Sequence, residues 1–187
     1  NFYVSYDTQE QVYTNILSDL ANAADVLYNY YVETNGNAPL GANDPVFEGN
    51  YSGWAKLANS MRLRVAMRIS GTWPGIAKEA AEAAVIHKAG LIESNSDNAM
   101  LSCGTQSNPY QLAAVSWGDL RVNANIVDYM NAYDDPRMSK FFNKSTLTGK
   151  TDQYVGMRTG DADFKKADAA GFSIPAYTAT SKLMVFC

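Results

Sequence analysis

The sequence predicts a mainly helical protein with long loops and a few short strands. Two observations support this prediction: apolar residues recur every three or four positions along several stretches, and Gly, Asn and Pro cluster between those stretches. Of the 187 residues, 47% are hydrophobic and 18% are charged, a composition that suits a single globular domain over residues 1–187. We therefore expect antiparallel helix pairs, arranged as a bundle or as a solenoid of helix hairpins.

The first long stretch predicts a helix of about six turns. Asp7 and Glu10 have the spacing of a capping box, so we expect this helix to begin there. Apolar residues then follow one stripe through residues 12–31. The Gly, Asn and Pro residues of segment 35–49 predict a long loop, and loops of such length often carry function.

Two further helices are predicted before residue 90. One covers residues 52–70, with Trp54 on its buried stripe, and it ends at the Gly- and Pro-containing segment 71–75. The other is an alanine-rich helix over residues 76–88, whose small side chains allow close contact between helices. We expect Gly90 to close this helix as a left-handed residue just past its last turn.

The second half of the chain carries shorter helix signals. Residues 93–98 and 102–118 are rich in polar and turn-forming residues, which predicts a second long loop region. A short helix is expected over residues 122–133. Its predicted apolar stripe consists of Val122, Ile126, Met130 and Tyr133. Asp135 followed by Pro136 indicates the N-cap and first position of one more short helix, and we expect loops and short strands beyond it.

The charge of the chain excludes two classes of partner. The formal net charge is −4, and the Lys and Arg residues form no dense block, so the basic surface that binds nucleic acid or anionic membranes is missing. No apolar run reaches the roughly 18 residues of a membrane-spanning helix. Cys103 and Cys187 are too few for a disulfide scaffold, and their redox state stays open.

The sequence contains no recognisable catalytic, metal or phosphate motif. His87 is the only histidine, and without a nucleophile signature around it we expect it at the surface or at a helix end. The oxygen-rich segments 94–98 and 161–163 lack the pattern of a calcium loop and are predicted to be turns. The acidic residues are scattered, so a carboxylate pair for glycoside hydrolysis is not indicated. We predict no catalytic residue, no metal and no cofactor.

Aromatic residues are abundant, with twelve Tyr, seven Phe and three Trp. Aromatic rings stack on the apolar faces of sugars, while amide side chains match neighbouring hydroxyl groups. Most of these rings lie on predicted helices, where core packing is their ordinary role. Trp73, Tyr110 and Trp117 fall in predicted loops, so we predict them as contacts for a neutral, polyhydroxylated ligand.

Five blocks of the sequence resemble the SusD/RagB family. They are YDTQE at 6–10, ILSDL at 16–20, WAKLANSMRLRVAMRIS at 54–70, SNSDNA at 94–99 and DPR at 135–137. The third block is the most specific, because the equivalent helix of the family combines an aromatic residue, a lysine, an Asn-Ser pair and spaced arginines. The resemblance implies that Arg62, Arg64 and Arg68 are scaffold residues rather than ligand contacts.

The resemblance also implies a location and a function. Members are outer-membrane lipoproteins exposed at the cell surface and built on tetratricopeptide-like helix pairs. They capture oligosaccharides, or in some cases peptides, without chemistry and act with a TonB-dependent transporter. Members are considerably longer than this chain, so we expect a middle piece of such a protein, with the lipid anchor outside it. Glycan capture and a peptide- or protein-binding scaffold share this fold, so both hypotheses stay open.

Overall fold

The computed structural model describes residues 3, 5–160 and 165–187, and it confirms a mainly helical fold. Within these residues the regular elements are six α-helices, two short 3₁₀-helices, one π-helix and two short strands. The helices are α1 (Gln9–Glu33), α2 (Tyr51–Ile69), α3 (Pro74–Val85), α4 (Pro109–Gln111), α5 (Ala124–Ala132) and α6 (Met138–Phe141), and the strands are β1 (Ala99–Leu101) and β2 (Leu183–Phe186). The two strands pair with each other. The predicted turn at 161–163 lies outside the described residues.

The chain divides into two compact units. We call residues 1–101 with 184–187 the helical unit, and residues 102–183 the loop-rich unit. The single domain over residues 1–187 therefore stays a prediction. In the described part of the chain, no helix has both the length and the apolar character needed to span a bilayer.

Helix α1 is capped by Thr8 rather than by Asp7. The Thr8 hydroxyl accepts a hydrogen bond from the backbone N–H of Gln11 (3.2 Å), and the Gln11 side-chain oxygen accepts the backbone N–H of Thr8 (2.8 Å). The capping box is thus present, but it begins one residue later than predicted because a Thr-Gln pair closes it instead of an Asp-Glu pair. Leu17 and Ala24 are the buried residues of α1, so only a narrow stripe packs against α2.

The core of the helical unit is built from small and branched side chains of α1, α2 and α3. Its buried members are Leu17, Ala66, Ile69, Ala77 and Ala80. Three of the five are alanines, so α3 can pack closely on α2, as the alanine-rich sequence predicts. The half-buried side chains that pack against this cluster include Tyr13, Val65 and Trp73.

Helix α3 ends at Val85, earlier than the predicted end at residue 88, and a turn follows. The ring nitrogen Nδ1 of His87 accepts the backbone N–H of Ala89 (3.1 Å), and the N–H of Gly90 donates to the carbonyl oxygen of His87 (3.0 Å). Gly90 does adopt a left-handed conformation (φ 74°), but it closes this turn rather than the helix. A side-chain acceptor that competes for a backbone N–H ends the helix early.

Three polar side chains of α2 bind the segment 84–97 and hold it against the helix. The fully buried amide of Asn59 donates to the carbonyl oxygens of Ala84 (2.8 Å) and Gly90 (2.9 Å). The Ser60 hydroxyl accepts the backbone N–H of Ile92 (2.8 Å). Lys56 Nζ lies 2.8 Å from a carboxylate oxygen of Asp97. The lysine and the Asn-Ser pair of the most specific sequence block therefore have a structural role.

Arg64, one of the three arginines of α2, makes a packing contact within the helical unit, which supports the scaffold role that the resemblance implies for it. The guanidinium carbon of Arg64 lies 5.4 Å from the centroid of the Phe186 ring in β2. Such a cation–π contact holds the charged group over an aromatic face without a carboxylate partner. Arg64 thus contributes to packing of the helical unit.

The long loop before α2 is folded around one buried carboxylate. Oδ1 of Asp44 accepts the backbone N–H groups of Val46 (3.0 Å) and Phe47 (3.3 Å), and Oδ2 accepts the N–H of Gly49 (2.9 Å) and the indole N–H of Trp54 (2.6 Å). Burial alone would raise the pKa of Asp44, but these hydrogen bonds outweigh burial and lower it. A loop held this way serves as structural support, and its functional role stays a prediction.

The loop-rich unit is held together by backbone hydrogen bonds between segments that are too irregular to count as strands. Segment 141–147 bonds to segment 171–176, and segments 122–124 and 155–157 bond to each other. The buried Ser173 accepts the N–H of Val155 with its hydroxyl (3.0 Å). A side chain on Gly156 would overlap the backbone of Ala124, so only glycine permits this approach.

Helices α5 and α6 differ from their predictions in detail. Val122 and Met130 of the predicted stripe are buried, as predicted, while Ile126 and Tyr133 are exposed. The helix ends at Ala132, and its buried side carries Val127 beside Met130 instead of Ile126. Asp135 is not the N-cap of α6: its carboxylate accepts the backbone N–H of Arg137 (2.9 Å) and also binds the guanidinium of that residue. Pro136 consequently precedes the helix instead of opening it.

Candidate functional site

Trp73, the first of the three predicted ligand contacts, lies in the helical unit. It occupies the N-cap position of α3, is half-buried, and packs against the core cluster. Its ring centroid is 6.1 Å from that of Tyr13 in α1. This position favours a packing role, and a ligand contact at Trp73 stays a prediction.

Tyr110 and Trp117, the other two predicted contacts, lie on one helical segment of the loop-rich unit. The sequence predicts a loop over 102–118, but Pro109–Gln111 is helical and Leu112–Ser116 continues it as a π-helix. The backbone N–H of Trp117 donates to the carbonyl oxygen of Leu112 (2.8 Å), which is the five-residue step of that geometry. Short π-helical turns occur frequently at functional sites.

Among the exposed aromatic rings of this unit, we call Tyr110, Trp117 and Tyr177 the aromatic site, because Tyr177 stacks on Tyr110 and Trp117 follows on the same helical segment. Their exposed fractions are 52%, 61% and 38%. The rings of Tyr110 and Tyr177 are stacked, with centroids 5.8 Å apart and planes 26° from parallel. Tyr110 and Trp117 are separated by two turns of one helical segment, roughly 10 Å along its axis.

The buried Asn108 holds the aromatic site in place. Its Oδ1 accepts the backbone N–H groups of Tyr110 (2.8 Å) and Gln111 (3.2 Å), which caps the helical segment. Its Nδ2 donates to the carbonyl oxygen of Ser181 (2.8 Å), and its own backbone N–H donates to that of Ala179 (3.0 Å). One fully buried side chain therefore ties the start of this helix to the segment that carries Tyr177.

Gly118, the residue that follows Trp117, lines a pocket of about 540 Å³, which we call the loop pocket. Its wall includes Gly118, Asp119, Arg121, Arg158, Lys165 and Lys166. The Arg121 guanidinium donates to the carbonyl oxygens of Gly118 (2.9 Å) and Ala169 (2.6 Å), and so connects two sides of the pocket. Asp119 and Lys166 form an ion pair across it.

The candidates for catalysis and metal binding have other roles in the structure. Nε2 of His87 lies 3.0 Å from Asp25 Oδ1, and because Nδ1 accepts a backbone N–H, Nε2 carries the proton and donates to that carboxylate. Hydrogen bonds from Lys56 and then Ser94 lower the pKa of Asp97 to about 2, and the segment 94–98 forms the predicted turn. In the described part of the chain, no three His, Cys, Asp or Glu side chains are grouped for a metal ion.

Comparison with known proteins identifies the family. A profile of the SusD-like family, described as Susd and RagB outer membrane lipoproteins, matches residues 1–187. The chain belongs to the SusD-like family. This membership confirms the resemblance and, with it, the expected location at the outer membrane and the cell surface. Among curated proteins, none matches the chain.

Solved SusD-like structures share the fold. A chitin-binding SusD homologue from Flavobacterium johnsoniae is 32% identical, with a TM-score of 0.84 over 98% of this chain. SusD homologues from Bacteroides thetaiotaomicron and Bacteroides uniformis are 34% and 37% identical over 98% of this chain, with TM-scores of 0.85 and 0.81. In each case the match covers 38% of the solved chain, so the present chain spans 38% of the length of these relatives.

Sequence reasoning missed two residues of the candidate site in this SusD-like chain. Asn108 directly before Pro109 has the form of an N-cap followed by proline at the first helical position, and that signal was sufficient to predict the helix. Tyr177 has no comparable local signal, because it reaches Tyr110 only through the tie between Asn108 and Ser181.

Proposed function

We propose that this protein captures oligosaccharides at the cell surface by non-covalent binding, with the aromatic site as its ring platform. The observation that carries the proposal is the exposed, stacked pair of Tyr110 and Tyr177 on a buried asparagine. Chitin binding by the Flavobacterium johnsoniae homologue supports carbohydrate as the ligand class.

The physical argument rests on rings that are both exposed and fixed. A tyrosine offers a flat apolar face and a polar tip, which match the C–H face and the hydroxyl groups of a sugar ring. Tyrosine also gives a large contact area at low cost in conformational entropy. The stack and the Asn108 hydrogen bonds restrain Tyr110 before any ligand arrives, so less entropy is lost on binding.

The proposal contains no chemical step. The sole histidine is engaged with Asp25 and Ala89, and the site offers rings and hydroxyl groups rather than an acid–base pair. Delivery of the captured oligosaccharide to a TonB-dependent transporter completes the proposed function, as the family resemblance implies. The experiment distinguishes glycan capture from the peptide-binding alternative, because glycans and peptides are titrated separately.

The test is calorimetric titration of the purified protein with neutral oligosaccharides, chito-oligosaccharides first. The double variant Tyr110→Ala/Tyr177→Ala is expected to bind at least tenfold more weakly, about 1.4 kcal/mol. The matched control is Tyr129→Ala/Tyr133→Ala, which removes another exposed tyrosine pair (centroids 4.8 Å apart) at the C-terminal end of α5. This control is expected to bind as the unmodified protein does.

Two results would contradict the proposal. If a broad panel of glycans gives no heat while a mixture of casein peptides binds, the ligand is a peptide. If glycans bind to Tyr110→Ala/Tyr177→Ala as tightly as to the control variant, the aromatic site is not the platform.

A further inference from the structure

The described lining of the loop pocket has a charge opposite to that of the chain as a whole. Its described ionisable side chains are one carboxylate and four cations: Asp119, Arg121, Arg158, Lys165 and Lys166. The whole chain carries a formal net charge of −4. Because a concave wall concentrates the field of its charges, the pocket lining, rather than the chain average, determines which ligand charge is favoured there.

Two of the four cations are occupied by neighbours. Lys166 is paired with Asp119, which neutralises both side chains. Arg121 donates to three carbonyl oxygens, those of Gly118, Leu120 and Ala169. Carbonyl oxygens satisfy its N–H groups but carry no net charge, so the positive charge of Arg121 persists.

Arg158 and Lys165 have no carboxylate partner in the part of the chain that the structure describes. Asp168 is near Lys165, but its carboxylate accepts the backbone N–H of that residue (3.1 Å). Both cations are exposed and line the same pocket. Asp161 and Asp163 lie outside the described residues, so the experiment below tests them directly.

We propose that the loop pocket accepts an anionic substituent of the captured glycan, a carboxylate or a sulfate ester. This inference rests on the proposed function, which places the neutral part of the glycan on the aromatic site. Gly118, the residue after Trp117, lines the pocket, so the pocket adjoins the aromatic site along the chain. The guanidinium of Arg158 can donate two parallel hydrogen bonds to either anion, and Lys165 adds a compact positive charge. Aromatic rings therefore select for sugar, and the pocket selects among sugars by charge.

The test compares matched ligands that differ in one acidic group. A neutral xylo-oligosaccharide is compared with its glucuronate-substituted form, and a chito-oligosaccharide with its sulfated form, which separates carboxylate from sulfate. At low salt we expect the acidic member of at least one pair to bind about tenfold more tightly than the neutral one. Because exposed charges are screened, this advantage is expected to fall steeply at high salt.

Variants assign the preference to the pocket. Arg158→Gln/Lys165→Gln is expected to abolish the acidic advantage and to leave neutral binding unchanged. Lys150→Gln removes an exposed lysine of the same unit outside the pocket, and it is expected to keep the advantage. Circular dichroism of each variant checks that the fold is retained.

Three results overturn the inference while the proposed function stands. The first is equal affinity for neutral and acidic members of both pairs. The second is an acidic advantage that survives Arg158→Gln/Lys165→Gln. The third is an acidic advantage that appears only in Asp161→Asn/Asp163→Asn, which would mean that the pocket is neutralised by its own carboxylates. Failure of every neutral and acidic glycan to bind contradicts the proposed function itself.

Discussion

The side-chain ammonium of Lys56 lies 2.8 Å from a carboxylate oxygen of Asp97, forty-one residues further along the chain. Together with Asn59 and Ser60, this pair fastens the segment after α3 to the polar side of α2. Both partners are largely shielded, with 32% and 20% of their side chains exposed. The pair is therefore better placed to stabilise the fold than an ordinary surface ion pair.

Asp97→Asn is expected to lower the free energy of unfolding by about 1 kcal/mol at neutral pH, and the loss depends on pH. The pKa of Asp97 is lowered from its usual 3.8 to about 2, so its stabilisation is complete above the unfolded-state value and disappears as pH falls through the folded-state value. Urea unfolding of both proteins should differ at pH 7 and pH 5 and converge toward pH 2.

The control for this prediction is Asp152→Asn. That carboxylate is almost fully exposed and lies 3.5 Å from Lys144, so the substitution is expected to have little effect at any pH. A constant difference between Asp97→Asn and the unmodified protein down to pH 2 would refute the assignment to this ion pair.

Trp54→Phe separates the indole hydrogen bond from ring packing. The new ring keeps its place beside Phe47, whose centroid is 5.2 Å from that of Trp54, but Asp44 loses one of its four donors. We expect a loss of about 1–2 kcal/mol, which thermal unfolding would register as a drop of several degrees. Trp117→Phe, at an exposed ring, serves as control, and equal melting temperatures for the two variants would contradict the prediction.

Trp73→Ala and Trp117→Ala are expected to affect different properties, the first the stability of the fold and the second the affinity for glycan. Trp73 packs on the core cluster, so its truncation should destabilise the protein by about 2–4 kcal/mol. In contrast to the sequence-based prediction of a ligand contact at Trp73, we expect glycan affinity to stay unchanged in the folded fraction. Trp117 is 61% exposed, so its truncation should weaken binding severalfold at nearly constant stability. Unfolding curves and titrations on the same preparations test both, and a binding defect confined to Trp73→Ala would reverse the assignment.

Asn108→Asp tests the tie that positions Tyr177. Aspartate keeps the acceptor that caps the helical segment but removes the amide donor to the Ser181 carbonyl oxygen. Amide hydrogen exchange is therefore expected to rise around residues 177–181 and to stay low at residues 110–112, while glycan affinity falls. Asn108→Ala should raise exchange in both segments, and unchanged exchange at 177–181 in Asn108→Asp would exclude the tie.

The long helices were predictable because their apolar periodicity is local. The bounds of α2 differ from the prediction by one residue at each end, and the capping box of α1 by one position. The end of α3 was not predictable in this way, because it depends on a histidine ring that competes for the N–H of Ala89. The exposed face of α5 likewise depends on which neighbour packs against it.

The candidate site was predictable only in part, for a similar reason. Tyr110 and Trp117 can be selected as aromatic residues between the long helices, and both are exposed. Tyr177 lies 67 positions beyond Tyr110, and their stacking depends on hydrogen bonds that join residues 108 and 181. Contacts of such separation have no periodic signature in the sequence. The cationic lining of the loop pocket cannot be predicted from composition, because the chain as a whole carries a net charge of −4.

The wide turn at Leu112–Ser116 accommodates one more residue per hydrogen-bonded loop than an ordinary α-helix. Five residues of this wider turn rotate about as far around the helix axis as four residues of an α-helix, which turns about 100° per residue. Deleting a single residue there would therefore restore regular winding and leave the indole at position 117 on nearly the same side of the helix. The turn can thus gain or lose one residue while the asparagine cap and the direction of the aromatic side chain are both kept.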